Sequence, residues 1–378
     1  MIIGFDGNEA NVEERVGVNV YAFEILWGLY NLVKKNYQDI RLIVYLSSKP
    51  CNDLPKEDKN LSYRVIPGKN LWVITKLMPS LYFNKGDRPD VFYTPSHYLP
   101  LVFTIPLVCS IMDLGYLEFS EQFRKRDYWQ LKLWTAISIY ISKYIIAISD
   151  STRNDIVRHY PFASNKTFVT RLAYNAKMFN TKINEKDVRR VLKKYLIVGK
   201  YILFISTLKP SKNIEGLLEV WSNISPKLGG MKLVISGKKG WLFESIFEKV
   251  KDLNLSDSVI FTGFLPESDK PFLIKGAKAL VLPSFWEGFG FDPLEAMAEG
   301  TPVIVSKVGG LPEVVAEAGI YIDPYNLRDL ETAIKKVIFM PRVRYNKLVT
   351  QGLKQARKFS WEKSAGEILK VLTRANEK

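Results

Sequence analysis

Short, almost wholly apolar runs recur along the 378-residue chain, separated by longer stretches whose apolar positions repeat with helical spacing. In the first half the runs are MIIGFD (1–6), IRLIVYL (40–46), LSYRVI (61–66), IPLVCSI (105–111), KYIIAIS (143–149) and TFVTRL (167–172). The second half has YILFIST (201–207), MKLVISG (231–237), SVIFTG (258–263), ALVLPS (279–284) and PVIVS (302–306). Runs that do not alternate with polar residues fit parallel strands covered by helices on both faces. Helical patterns fill the gaps, as in Asn213 to Ile224 and Glu244 to Leu253. This alternation predicts an α/β protein built on parallel sheets.

The polar, basic stretch NAKMFNTKINEKDVRR (175–190) breaks the pattern and predicts a boundary between two Rossmann-like domains, 1–180 and 181–358. The segment FSWEKSAGEILKVLTRANEK (359–378) reads as a further helix packed back across the first half. Two such domains leave a cleft at the carboxyl ends of their strands, the preferred ligand position in this architecture.

Composition narrows the class. Hydrophobic residues make up 47% and charged residues 25%, the balance of a water-soluble globular protein. The most apolar stretches are interrupted by Pro100 and Pro106 or by Lys143, so none reads as membrane-spanning. The first residues lack a basic n-region, and Cys51 and Cys109 form neither a disulfide framework nor a metal pattern. A reducing, cytoplasmic setting is the expectation. The 54 basic against 39 acidic residues give a net charge of +15, which suits an anionic partner or is simply a solvated basic surface. No nucleic-acid-binding signature accompanies it. The stretch EQFRKRDYWQLKLWTAISIY (121–140) mixes basic and aromatic residues. Two readings stand: peripheral contact with an anionic membrane, or a helix packing its aromatic face into the core.

Candidate chemistry concentrates in SFWEGFGFDPLEAMAEGTPV (284–303), where Glu287 and Glu295 lie eight positions apart. Locally, Asp292 can act as N-cap, with Pro293 at the first helical position, Glu295 at the third, and Gly300 and Pro302 ending the helix. Alternatively the loop amides and helix start face a bound anion while the glutamates grip hydroxyl groups. Two other loops precede helices: GVNVYAFEIL (17–26), led by Gly17, and STLKPSKNIEGLL (206–218), with Lys209, Lys212 and Asn213. A lysine ahead of a helix opposes the macrodipole, and an anionic ligand there resolves the conflict. Neither common nucleotide-binding fingerprint occurs. With no D-x-D pair and only His97 and His159, neither a metal site nor a cofactor is expected.

Together these blocks resemble something specific. PSFWEGFGFDPLEAMAEGTPVIVSKVGGLPEVV is similar to the E-x7-E region of retaining glycosyltransferases of family 4, which have the GT-B fold. STLKPSKNIEGLL resembles that family's diphosphate loop, and FTGFLPESDKPFLIKGAKALVLPS its nucleotide-base segment, with Gly263, Phe264 and Leu265. TPSHYLP (His97, Tyr98), IMDLGYLEFSEQF (Met112, Asp113) and AISDSTRNDI (Ser149) resemble its acceptor-side blocks, and FSWEKSA its crossover helix. The resemblance implies sugar transfer, with the anomeric configuration retained, from a nucleoside-diphosphate sugar to a glycan or lipid-linked acceptor, and the missing D-x-D pair makes a metal-independent reaction the expectation. It implies that Glu287 contacts donor-sugar hydroxyls and Glu295 the ribose. Gly288, Phe289, Gly290, Phe291 and Asp292 would lie against sugar and phosphates, and Lys212, with Lys209, Asn213 and the Gly17 amide, would serve the diphosphate.

The chain departs from that pattern at two places. Thr207 and Ser211 stand near positions where the family carries a basic side chain, with Lys209 the available replacement. Met112 occupies the place of the histidine in the family's His-Asp-Leu. That exchange leaves open a weakened enzyme, a methionine packed against the C6 methyl of a 6-deoxy donor, or a catalytically silent sugar-nucleotide binder. An epimerase or a phosphorylase on the same fold is the rival enzyme reading.

Overall fold

The structure, a computed structural model, describes residues 1–69, 71–83, 86–102 and 104–377. Among them the chain divides into two compact units, Met1–Ala173 with the segment from Ser360 onward, and Tyr174–Phe359. The boundary therefore falls before Tyr174 rather than after residue 180. Residues 174–180 belong with the second unit because Asn180 donates its amide to Glu299 there and the Phe179 ring lies 5.9 Å from the Lys270 ammonium.

The first unit holds a seven-stranded sheet of Ile2–Asp6 (β1), Arg41–Leu46 (β2), Leu61–Val65 (β3), Val91–Thr94 (β4), Leu107–Ile111 (β5), Tyr144–Ala147 (β6) and Thr167–Val169 (β7). Its order is β3-β2-β1-β4-β5-β6-β7, and every pairing is parallel. The second unit holds Tyr201–Ile205 (β8), Lys232–Ser236 (β9), Val259–Gly263 (β10), Ala279–Leu282 (β11), Val303–Ser306 (β12) and Ile320–Ile322 (β13). These form a six-stranded parallel sheet in the order β10-β9-β8-β11-β12-β13. Central strands such as β5, β8, β11 and β12 are buried at every position, as their unbroken apolar runs require. Two strands have no counterpart among the apolar runs: β4, only four residues between Pro89 and Pro95, and β13, only three.

The helix Val18–Asn36 is fixed to the first sheet partly by a closed ring of hydroxyls. Tyr21 meets Tyr93 at 2.9 Å and Ser110 at 2.8 Å, and Tyr93 meets Ser110 at 2.8 Å. All three side chains are fully buried, so mutual satisfaction is what makes them tolerable in a core. The last helix, Trp361–Asn376, covers the same helix from outside: Trp361 lies 6.3 Å from the Tyr21 ring, ring to ring.

Gly28 makes that contact possible, since a Cβ there would sit 2.6 Å from the Ala365 Cβ. Gly28→Val is expected to overpack the pair and lower the stability of the first unit by about 1–3 kcal/mol. Urea unfolding followed by tryptophan fluorescence measures this, and an unchanged midpoint would refute the close-packing account.

Candidate active site

The order of the second sheet determines where a site can form. The chain leaves β8 for β9 on one side and later returns to β11 on the other, so the loops after β8 and β11 diverge around a topological switch point. The two loops are joined directly, the Phe285 amide donating to the Ser211 carbonyl at 2.9 Å. From the first, Lys212 ends a short 3-10 turn, Pro210–Lys212, and is followed by Asn213 in the left-handed region at φ 52°. Asparagine tolerates that conformation, and its side chain is anchored by donating to the Pro324 carbonyl at 2.9 Å. From the second loop, Glu287 reaches back. The Lys212 ammonium lies 2.5 Å from Glu287 Oε1, and the Ser284 hydroxyl donates to the same oxygen at 2.7 Å. Both charged side chains are nearly out of solvent, so each needs the other.

Backbone approach holds Glu287 in place. Gly310 donates its amide to the Glu287 carbonyl at 2.9 Å. A Cβ on Gly309 would lie 2.0 Å from that carbonyl oxygen, and one on Gly310 2.4 Å from the oxygen of Gly288. The Gly309–Gly310 turn is thus a bare buttress beneath the glutamate. A similar approach joins the loops after β8 and β9, where Gly237 has no space for a side chain against Ser206 and Leu208 exchanges backbone bonds with Lys238 and Gly240. Lys209 lies over the Trp241 ring at 4.8 Å.

The helix after the glutamate loop corrects the local reading of its start. It spans Phe291–Ala298 with Gly290 (φ 115°) as N-cap. Asp292 is therefore the second helical residue, not the cap; Pro293 is the third and Glu295 the fifth. Their carboxylates are drawn elsewhere, to Lys270 at the start of the helix Lys270–Gly276. Its ammonium lies 2.8 Å from Asp292 Oδ1 and 2.5 Å from Glu295 Oε2, with Glu267 at 4.0 Å. Burial works against the charge on Lys270, but Asp292, Glu295 and Glu267 outweigh it and hold the amine well above the usual lysine range. Burial works against the charge on Glu295 as well, with Lys270 pulling the other way. At the far end Gly300, at φ 77°, closes the helix as expected, its amide bonding to Met297 and that of Thr301 to Ala296.

Gly263 ends β10 with φ 75° and accepts from the Gly237 amide at 2.9 Å. Phe264 lies under Lys238, its ring 4.7 Å from the ammonium, and Leu265 is buried. This segment runs on through Glu267 to Lys270, which ties it to Glu295. Lys270 was not among the sequence candidates, although its position as a lysine opening a helix is the same signal that singled out Lys212. Ser284, Glu267 and Glu299 were missed as well, because nothing in their spacing sets them apart.

The remaining candidates lie in the first unit, at the carboxyl ends of its strands. Gly17 is exposed at φ 52° and opens the helix Val18–Asn36. His97 and Tyr98 follow β4 with their rings 4.0 Å apart, and burial pushes His97 down to about 4. Met112 follows β5, half-buried, and its carbonyl accepts from Thr152 at 3.1 Å; exposed Asp113 accepts from the Gly115 amide. Ser149 follows β6 and turns its hydroxyl to the next helix. It is fully buried and caps the helix Asp150–His159 by accepting from the Thr152 amide at 2.9 Å, a bond that the helix start demands.

Among the described residues no group of three or more His, Cys, Asp or Glu is placed to hold a metal ion, the acidic trio at Lys270 being filled by the ammonium. No helix of the described residues is long and apolar enough to cross a membrane. The helix Lys125–Ile141 buries Thr135, Ser138 and Ile139 and leaves Trp129, Leu133 and Tyr140 61%, 62% and 75% exposed. These three share one face, with Lys132 5.0 Å from the Trp129 ring, so that face does not pack into the core.

Residues 190–355 match the family model for glycosyl transferases group 1. Over 306 residues the chain is 30% identical to the O-antigen chain mannosyltransferase B of Escherichia coli, covering 80% of this chain and 76% of that protein. The structure is similar to sucrose-phosphate synthase from Thermosynechococcus elongatus, with a TM-score of 0.76 and 20% identity over 99% of this chain and 98% of that one. It is also similar to Anabaena HepE in complex with UDP-glucose, with a TM-score of 0.74 and 17% identity over 99% of each chain.

Two outcomes follow from the buried charges. Lys270→Met strands Asp292 and Glu295 together without a cation, and a loss of about 3–5 kcal/mol in urea unfolding is expected. Glu299, fully buried and accepting the Asn180 amide at 2.5 Å, is pushed up to about 8 by burial. The folded state therefore holds this proton more tightly than the unfolded chain. Its contribution is complete below the ordinary carboxylate range and is lost as pH rises through about 8. Glu299→Gln retains the acceptor and should flatten the fall in stability between pH 5 and 8; an identical slope in the variant would refute the assignment.

Proposed function

The chain belongs to the group 1 glycosyltransferases and has the GT-B fold; from that premise we propose that it transfers a hexosyl group from a nucleoside-diphosphate sugar to a glycan or lipid-linked acceptor, with retention and without a metal. The observation that carries this reading is the Lys212–Glu287 pair at the switch point of the second sheet. Departure of a nucleoside diphosphate leaves growing negative charge on the oxygen that separates from the sugar, and a fixed ammonium is the strongest aid a protein can offer it. Lys212 supplies that ammonium. Glu287, held by Ser284 and the Gly309–Gly310 turn, accepts from sugar hydroxyls and offsets positive charge developing on the ring. The bond from the anomeric carbon to the phosphate oxygen breaks, a bond to the acceptor hydroxyl forms on the same face, and the acceptor proton passes to the departing diphosphate.

Glu295 takes the ribose hydroxyls in this reading. Lys270 neutralises Asp292, which removes the repulsion that this carboxylate would otherwise exert on a diphosphate. The relative's activity as an O-antigen chain mannosyltransferase supports mannose as the transferred sugar and a growing polysaccharide as the acceptor. The solved complex with UDP-glucose supports a nucleoside-diphosphate hexose as donor class. The exposed Trp129, Leu133 and Tyr140 beside Lys125, Arg126 and Lys132 support contact with an anionic lipid surface that presents a lipid-borne acceptor.

Nucleotide release with and without a mannosyl acceptor tests the reading, with acceptor-dependent turnover expected. Lys212→Ala and Glu287→Gln should each lower kcat by about 100-fold or more. Proton NMR of the product should show the donor's anomeric configuration, and excess EDTA should leave the rate unchanged. Inverted product would exclude retention, and activity abolished by EDTA and restored by a divalent ion would exclude the metal-free reaction.

A further inference from the structure

Lys270 is as deeply buried as Lys212, each 8% exposed, but it meets two carboxylates at close range instead of one. It opens the helix Lys270–Gly276, with Pro271 in the first turn, and the Phe179 ring lies 5.9 Å from its ammonium. Asp292 and Glu295 are three residues apart on the helix Phe291–Ala298, so their side chains emerge on one face and repel each other. A single ammonium within 2.8 Å of both offsets that repulsion, and among the described residues no other cation is paired with either. The position of the Glu295 carboxylate is therefore decided from a different helix.

The two oxygens of Glu295 differ. Oε2 is closed off from solvent and meets the Lys270 ammonium at 2.5 Å, whereas Oε1 is not enclosed in this way. An oxygen of an ionised carboxylate carries two lone pairs, both able to accept, while protonation makes the group a donor. A vicinal diol offers two hydroxyl donors close together, so it matches the ionised form. Burial alone favours the protonated form, and the ammonium opposes it. One contact thus fixes both the direction of the carboxylate and its capacity to accept.

We propose that Lys270 is a positioning residue for nucleotide recognition: by holding Glu295 through Oε2 it presents Oε1 to the ribose diol and makes the site prefer a ribonucleotide to its deoxy counterpart. This rests on the assignment of the ribose to Glu295 in the reading above. A merely structural ion pair would alter stability and overall affinity but leave that preference untouched.

Calorimetric titration of the full chain with UDP, GDP and ADP and with their 2′-deoxy counterparts tests it. The ribonucleotide that binds best is expected to bind about tenfold or more tightly than its deoxy form, the loss of a hydrogen bond to a charged group. In Lys270→Met this ratio should fall about fivefold or more, and Lys270→Arg, which keeps a cation against both carboxylates, should restore most of it. The double variant Lys270→Met with Asp292→Asn removes one carboxylate along with the ammonium, which relieves the stranded charge, and it should show the same loss of preference. A full ratio in both Lys270→Met and the double variant, with the ratio lost in Glu295→Ala, would overturn the role of Lys270 and leave the ribose assignment standing. No preference in the unaltered chain, or a full ratio in Glu295→Ala, would overturn the ribose assignment and this inference with it.

Discussion

A lysine ammonium can be buried only where carboxylates meet it, and the second unit of this protein contains two such ammonium groups. Lys212 is matched by Glu287, and Lys270 by Glu295 with Asp292. The two glutamates are the pair spaced eight residues apart, so each end of that stretch is pinned by a cation contributed from an earlier part of the chain. Coulomb attraction at 2.5 Å is strong where water is scarce, but desolvation offsets much of it, so the pairs define position more than they add stability. Precise placement matters more to a site than net stabilisation, because groups that must meet a diphosphate and a sugar ring have to be aligned before the ligand arrives.

Around those pairs the loops are built from backbone rather than side chains. Gly237, Gly309 and Gly310 each sit where a Cβ would collide with a neighbouring carbonyl. The result is that the loops after β8, β9, β11 and β12 are linked by main-chain contacts at the carboxyl edge of one sheet. A parallel sheet supplies this edge, and the crossing from β8 to either side opens it.

Much of this was legible in the sequence. Unbroken apolar runs marked eleven of the strands, and the E-x7-E block marked the loop that carries Glu287. The local prediction for Asp292 and Glu295 failed because capping preferences consider only neighbours along the chain, whereas Lys270 lies in a different helix and competes for the same oxygens. The capping role of Ser149 was likewise not read from the sequence, although a serine just before a helix is a usual signal for it. Strands β4 and β13 were too short to show a pattern. Lys270 itself was readable in principle, since the argument applied to Lys212 fits it equally.

The last helix belongs to the first unit although the whole of Tyr174–Phe359 precedes it. In topological terms the second unit is an insertion in the first. A chain emerging from the ribosome can therefore complete the inserted unit while the enclosing one still lacks its covering helix. Until residues 361–376 arrive, the outer side of the helix Val18–Asn36, including Gly28 and the Tyr21 ring, stays uncovered. The vulnerable interval in biosynthesis thus falls on the enclosing unit and lasts until residues 361–376 have been made.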